Sequence, residues 1–209
     1  MNDPTEQVLF SHELAAQHPD PARAARDSGK IKVAMIGLCG CWGCTLSLLD
    51  IDERLLLLLE KITILRSSFT DIKRITERCA IGFVEGGVAN EENIETLQHF
   101  RENCDVLISV GACAIWGGVP AMRNVVELKD CLAEAYLDSP TAAPGARKVI
   151  PLHPDIPRLT TKVYPCHEVV KMDYFIPGCP PDADAILTVL DDLVGGRPIH
   201  VPIAMNHYD

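Results

Sequence analysis

Four of the nine cysteines in this chain stand at spacings that could do redox or metal chemistry. Cys41 and Cys44 belong to Cys39-Gly40-Cys41-Trp42-Gly43-Cys44. Cys113 lies in Gly111-Ala112-Cys113-Ala114-Ile115-Trp116-Gly117-Gly118, and Cys179 in Gly178-Cys179-Pro180-Pro181. A cubane iron–sulfur cluster takes four thiolates, one per iron. Cys41 and Cys44, separated by two residues, can reach adjacent irons from a single turn. Glycine beside a ligand lets the backbone come close, and its amide can donate to a sulfur and tune the potential. Gly43, Gly111 and Gly178 are the candidates for that role. Two other readings compete. Cys41 and Cys44 between a strand and a helix also fit a redox-active dithiol, which leaves Cys113 and Cys179 unexplained. Structural zinc usually takes its ligands as two close pairs, and here only one pair is close.

A scaffold must bring these separate segments to one place. From Lys32 the chain alternates short β-rich apolar runs with helical stretches. Strands are expected at Lys32 to Leu38, Ile62 to Leu65, Ala80 to Val84, Asp105 to Val110 and Asp173 to Ile176. Helices are expected at Thr45 to Lys61, Asn90 to Asn103, Asn124 to Leu137 and Asp182 to Val194. Such alternation implies βαβ units and an α/β fold, an open parallel sheet with helices on both faces. The C-terminal ends of its strands share one edge, where ligands bind. All three cysteine-bearing loops follow strands, so they should converge there, joined by Glu85-Gly86-Gly87. Pro140 to Pro165 reads as irregular, which makes the C-terminal third Pro-rich and loop-like. Residues 1–30 read as a flexible or partner-bound arm, and residues 31–209 as one domain.

Composition narrows the function classes. The formal net charge is −10, so binding to a phosphate backbone is disfavoured. No run approaches the roughly 20 apolar residues of a membrane span. The five leucines of Leu55 to Leu59, flanked by charges, read as a buried amphipathic helix or a subunit contact. No export signal is legible near Met1, so a cytoplasmic location is expected. In that compartment so many cysteines point to metal or redox chemistry rather than disulfides.

In order and spacing, these segments resemble the small subunit of the nickel–iron hydrogenases. The matching residues are Cys41, Gly43, Cys44 and Thr45; Glu85 and Gly86; Gly111, Cys113, Trp116, Gly117 and Gly118; and Gly178, Cys179, Pro180 and Pro181. The resemblance covers roughly residues 31 to 197. It implies a flavodoxin-like fold and a proximal [4Fe–4S] cluster held by Cys41, Cys44, Cys113 and Cys179. The cluster would lie beside the Ni–Fe site of a separate large subunit. No cysteine follows Cys179, so one cluster is expected rather than the three of longer members. A short form with one cluster is similar to the small subunit of cytoplasmic NAD-reducing hydrogenases. The implied partners are then the large subunit and the iron–sulfur and flavin diaphorase subunits that carry FMN and reduce NAD⁺. The related cluster subunit of respiratory complex I has two adjacent cysteines where Cys41 and Cys44 are separated. Cysteines occupy the segment between Ile36 and Thr45 where a phosphate loop would lie, so FMN is expected on a partner.

Other residues carry plainer expectations. Cys39 reads as a neighbour packed near the cluster ahead of an alternative ligand, and Cys79, Cys104, Cys131 and Cys166 as small buried hydrophobes, no motif supporting Cys166-His167 as a metal pair. Glu85 reads equally as a proton relay or as a carboxylate capping loop amides. Trp42 and Trp116 would shield the site or anchor a partner. His153, His167, His200 and His207 lack ligand spacing.

Overall fold

The computed structural model describes residues 29–209, apart from Asp71, Lys73, Pro144, Ala146, His207 and Asp209. The expected arm over 1–30 therefore lies almost wholly outside the described residues, as does His207.

The expected parallel sheet is formed. Strand β1 (Ile31–Gly37) pairs with β2 (Ile62–Arg66) on one side and β3 (Cys79–Glu85) on the other, and β3 pairs with β5 (Cys104–Val110). Strand β7 (Tyr174–Ile176) closes the far edge, giving the order β2-β1-β3-β5-β7 with every pair parallel. This is the flavodoxin-like order, and its switch point lies between β1 and β3.

Side chains alternate across the pleat, so each strand feeds two cores. Val33, Met35, Ile81, Phe83, Val106 and Ile108 face one side. There they meet α1 (Gly43–Leu49), α2 (Arg54–Lys61) and α6 (Ala183–Val194) through residues such as Leu48, Leu58 and Leu190. Ala34, Val84 and Leu107 face the other side, against Leu97 and Phe100 of α3 (Glu91–Asn103) and Ala114 of α4 (Gly111–Trp116). Each of the large side chains buried there stabilises the fold by about 1.5–3 kcal/mol. Helix α3 starts where Asn90 accepts a hydrogen bond from the Asn93 amide at 2.8 Å, while Asn93 reaches back to the Ala89 amide at 3.1 Å.

Three expectations need correction. The helix expected over Thr45 to Lys61 is two helices: the first ends at Leu49, and the connection to the second, which starts at Arg54, passes through a left-handed Asp52 (φ 53°). The leucine run divides as an amphipathic helix must. Leu58 is buried and Leu55 and Leu59 pack on the core, but Leu56 and Leu57 are 66% and 61% exposed. The helix expected from Asn124 is instead a 3₁₀ helix at Val119–Val125 followed by α5 (Leu128–Tyr136). Asn124 does not continue a helix because its side chain acts as a strand would. It donates to the Val163 carbonyl and accepts from the Val163 amide, both at 2.8 Å. Val163 belongs to β6 (Leu159–Tyr164), a strand inside the stretch expected to be irregular, and β6 pairs antiparallel with the short β4 (Val88–Asn90).

A clasp on α3 holds β7 beside β5. Arg101 donates to Asp173 at 2.7 Å and to the carbonyls of Cys104 and Asp105 at 2.8 and 3.0 Å. Asp173 accepts from the Leu107 amide at 2.8 Å, and its own amide donates to the Leu107 carbonyl at 2.8 Å. The Asp173 side chain is 3% exposed, so removing Arg101 takes the ion pair from a buried carboxylate. Arg101→Met is expected to lower stability by about 3 kcal/mol, read from urea unfolding.

Candidate metal centre

The cysteine segments meet at the C-terminal edge of the sheet. Cys41 lies in the turn after β1, and Cys44 is the second residue of α1. Cys113 stands in α4, which begins directly after β5, and Cys179 in the turn after β7. Cys41 and Cys179 are exposed, whereas Cys44 and Cys113 are half-buried. Their thiols are electrostatic neighbours. Cys44 feels Cys113 and Cys41, and Cys113 feels Cys179, Cys41 and Cys39.

Glycine makes this approach possible at three of the four sulfurs. A Cβ on Gly111 would lie 2.3 Å from the Cys44 sulfur, and one on Gly118 would lie 2.9 Å from the Cys113 sulfur. A Cβ on Gly43 would lie 3.2 Å from the Cys41 sulfur. Gly111 and Gly118 also have positive φ, 82° and 48°, where an L side chain is strained. Gly178, at φ 136°, lets the Cys179 turn fold onto Pro181, and its carbonyl accepts from the Ala112 amide at 2.9 Å. That bond ties the Cys179 turn to the start of the Cys113 helix. The Ser47 hydroxyl donates to the Pro181 carbonyl at 2.6 Å, which ties the same turn to α1.

Glu85 ends β3 beneath the first loop and is buried. Its carboxylate accepts from the amides of Cys44 and Thr45 at 3.1 and 3.2 Å, and from the Thr45 hydroxyl. It thereby caps the first turn of α1, a helix whose own N-cap residue, Trp42, makes no side-chain cap bond. The capping expected of it is present. Trp42 takes a left-handed backbone (φ 66°) and lays its ring over Gly37, where a Cβ would come within 2.9 Å of it. Trp42 and Trp116 remain 39% and 43% exposed.

Burial, the Glu85 carboxylate with its hydrogen bond, and the thiols of Cys113 and Cys41 all push the Cys44 thiol up from its ordinary value. Burial likewise pushes up Cys113, against a hydrogen bond from the Val119 backbone that works the other way. Thiols crowded like this resist ionising together unless a cation compensates them. Among the described residues no three His, Cys, Asp or Glu side chains stand where a single metal ion would be held. The donor set, four thiols with glycine behind three of them, fits a larger group that takes one thiolate at each of several irons.

Cys79, Cys104 and Cys166 are fully buried, as expected of packing residues, but Cys131 is half-exposed. Cys39 stays half-buried, its backbone paired with Gly87. Sequence reasoning passed over the part played by Gly87, whose contacts come from β6 and the Cys113 carbonyl. Its only local signal is the diglycine after a strand.

A family model, the NADH ubiquinone oxidoreductase 20 Kd subunit, matches residues 41–193, a span that contains all four loop cysteines. The chain belongs to this family. Within the family its similarity lies with hydrogenases. It is 76% identical, over the whole of both chains, to the delta subunit of the NAD-reducing hydrogenase HoxS of Cupriavidus necator. Its structure matches a chain of an NAD⁺-reducing [NiFe]-hydrogenase, crystallised in the H₂-reduced state, with a TM-score of 0.82 and 45% identity over 86% of this chain and 99% of that one. The iron–sulfur subunit of a hydrogenase from Archaeoglobus profundus is 28% identical over 80% of this chain. The chain spans 57% of that longer relative. The resemblance to small subunits of nickel–iron hydrogenases of the NAD-reducing type is borne out. The chain is homologous to a subunit of a multi-subunit oxidoreductase, in a family with iron–sulfur members.

Two outcomes follow from the geometry. Gly111→Ala must displace the Cys44 sulfur and strain a positive φ, so it should destabilise the protein by about 2 kcal/mol in thermal or urea unfolding. In reduced, metal-stripped protein, the exposed Cys41 and Cys179 should be alkylated first, read by peptide mass spectrometry. Cys44 and Cys113, whose raised pKa leaves less thiolate at a given pH, should lag and catch up as pH rises.

Proposed function

We propose that this chain carries one [4Fe–4S] cluster on Cys41, Cys44, Cys113 and Cys179 and serves as the electron relay of an NAD-reducing [NiFe] hydrogenase. The observation that carries the reading is the meeting of these four thiols at one sheet edge, with glycine where a Cβ would obstruct three of them. A cluster bound there supplies one-electron transfer between the Ni–Fe site of a large subunit and diaphorase subunits that hold further iron–sulfur centres, FMN and the NAD⁺ site.

The chain's own residues supply binding, orientation and shielding. Gly43, Gly111 and Gly118 leave room for the sulfurs of Cys41, Cys44 and Cys113, and Gly178 lets the Cys179 turn fold onto Pro181. Glu85 holds the first turn of α1, and so fixes where Cys44 points. Trp42 and Trp116, partly exposed beside the thiols, fit a contact that a large subunit closes over. The proposed setting is the cytoplasm. All nine cysteines are free thiols, which suits a reducing compartment, and no described helix is long and apolar enough to cross a membrane.

The test is metal and acid-labile sulfide analysis of the purified multi-subunit complex, with EPR of the reduced state. Serine at Cys113 or Cys179 should remove or convert the cluster signal and cut H₂-dependent NAD⁺ reduction at least tenfold. Serine at Cys131 should do neither. An iron-free native complex would sink the cluster reading. Full activity and disulfide exchange in the Cys113→Ser protein would instead restore the dithiol reading of Cys41 and Cys44.

A further inference from the structure

Gly86 and Gly87 lie between two of the cysteine segments. A Cβ on Gly86 would stand 2.8 Å from the Leu38 carbonyl carbon and 2.9 Å from the Cys39 backbone, so Gly86 packs flat against the start of the first loop. A Cβ on Gly87 would stand 3.3 Å from the Cys113 carbonyl oxygen and 2.8 Å from Val163. The diglycine is thus a spacer that touches both segments. The diglycine has no side chains of its own to set its orientation, and glycine on both sides leaves the peptide between them a wide choice of backbone conformation.

Two hydrogen bonds fix that peptide plane, one at each end. The Gly87 amide donates to the Cys39 carbonyl at 2.8 Å, with the Cys39 amide returning a bond to the Gly87 carbonyl at 2.9 Å. At the other end the Gly86 carbonyl accepts from the Cys166 thiol at 3.4 Å. Cys166 opens the 3₁₀ helix Cys166–Glu168 and is completely buried. Burial pushes its thiol up to about 12, so it stays protonated and able to donate, and the buried Ser109 hydroxyl lies beside the same sulfur.

We propose that Cys166 is a positioning residue: its thiol fixes the Gly86–Gly87 peptide, whose other end holds the loop that carries Cys41 and Cys44. Without that donor the Gly86 carbonyl becomes a buried acceptor lacking this bond, and the peptide is held from its Gly87 end alone, which favours excursions in which it turns over. Turning over takes the Gly87 amide away from Cys39 and lets the first loop shift against the Cys113 segment. Amides in such a loop tune a cluster by hydrogen bonds to its sulfurs, so the effect should appear in potential and spectrum rather than in iron content. The inference rests on the proposed cluster.

The test compares Cys166→Ala and Cys166→Ser in the assembled multi-subunit complex. Three readouts are taken: iron and sulfide content, the midpoint potential by EPR-monitored titration, and hydrogen exchange in peptides containing Gly87. Cys166→Ala should keep its iron, exchange the Gly87 amide at least tenfold faster, and shift the midpoint potential and the EPR line shape. Cys166→Ser restores a donor, at the expense of a shift of a few tenths of an ångström, and should return both towards wild type. If the alanine complex does not assemble, Cys166→Val fills the thiol's volume without a donor and carries the same comparison. Wild-type exchange and potential in the donorless variant overturn the proposal. So does iron loss in Cys166→Ser, which would make the sulfur itself the requirement. An iron-free wild-type complex would instead count against the cluster reading, while the Gly87 exchange comparison would still decide whether Cys166 holds the peptide.

Discussion

Sulfurs from three separate strand ends can approach one another only if the backbone between them occupies almost no room, and most of the local structure answers to that steric limit. A single methyl group on Gly111 would overlap the Cys44 sulfur, and one on Gly118 would crowd Cys113. The glycines are therefore not spacers of convenience. They are the absent side chains that leave a common volume at the edge of the sheet. Positive φ at Gly111 and Gly178 turns the chain sharply just after β5 and β7, and at Gly117 and Gly118 it turns the chain between α4 and the 3₁₀ helix that follows.

Close approach also brings polar and ionisable groups into a poorly solvated space, and the fold compensates them individually. Glu85 is buried with three donors on its carboxylate, two of them backbone groups of α1. The first turn of a helix has amides without intrahelical partners, and here a residue from a neighbouring strand supplies the acceptor. The same carboxylate raises the Cys44 thiol, so in the absence of a compensating cation the site favours protonated sulfur. A cationic metal group changes that balance, because thiolate is then the favoured form. Cap, thiol and expected cofactor are thus parts of one electrostatic arrangement.

The rest of the molecule keeps these ends in register. The two cores fix the five parallel strands, and the Arg101–Asp173 clasp sets the height of β7, hence of Cys179, against β5. The β4–β6 ribbon, braced by Asn124, packs over Gly87. The relation between strand order and site is that of other doubly wound sheets, whose ligands sit beyond the carboxyl ends at the switch point. Here cysteines occupy the place where a phosphate-binding loop would run.

Sequence alone determined a good deal. Alternating β-rich and helical stretches fixed the α/β class, and the placement of each cysteine group just after a strand fixed the edge where they meet. The spacing of Cys41, Cys44, Cys113 and Cys179 left three readings open, and the resemblance of their segments, in order, to the hydrogenase small subunits chose among them. What sequence could not show depends on contacts between residues far apart along the chain. Strand β6 was hidden among prolines since its partner, β4, lies some seventy residues away, and Asn124 reads as helical until its strand-like bonds to Val163 are seen. The break between α1 and α2 passes through one left-handed residue, Asp52. Whether Glu85 caps, and which carbonyl Cys166 holds, were decided only by tertiary structure, because a hydrogen bond across forty or eighty residues leaves no periodicity to read.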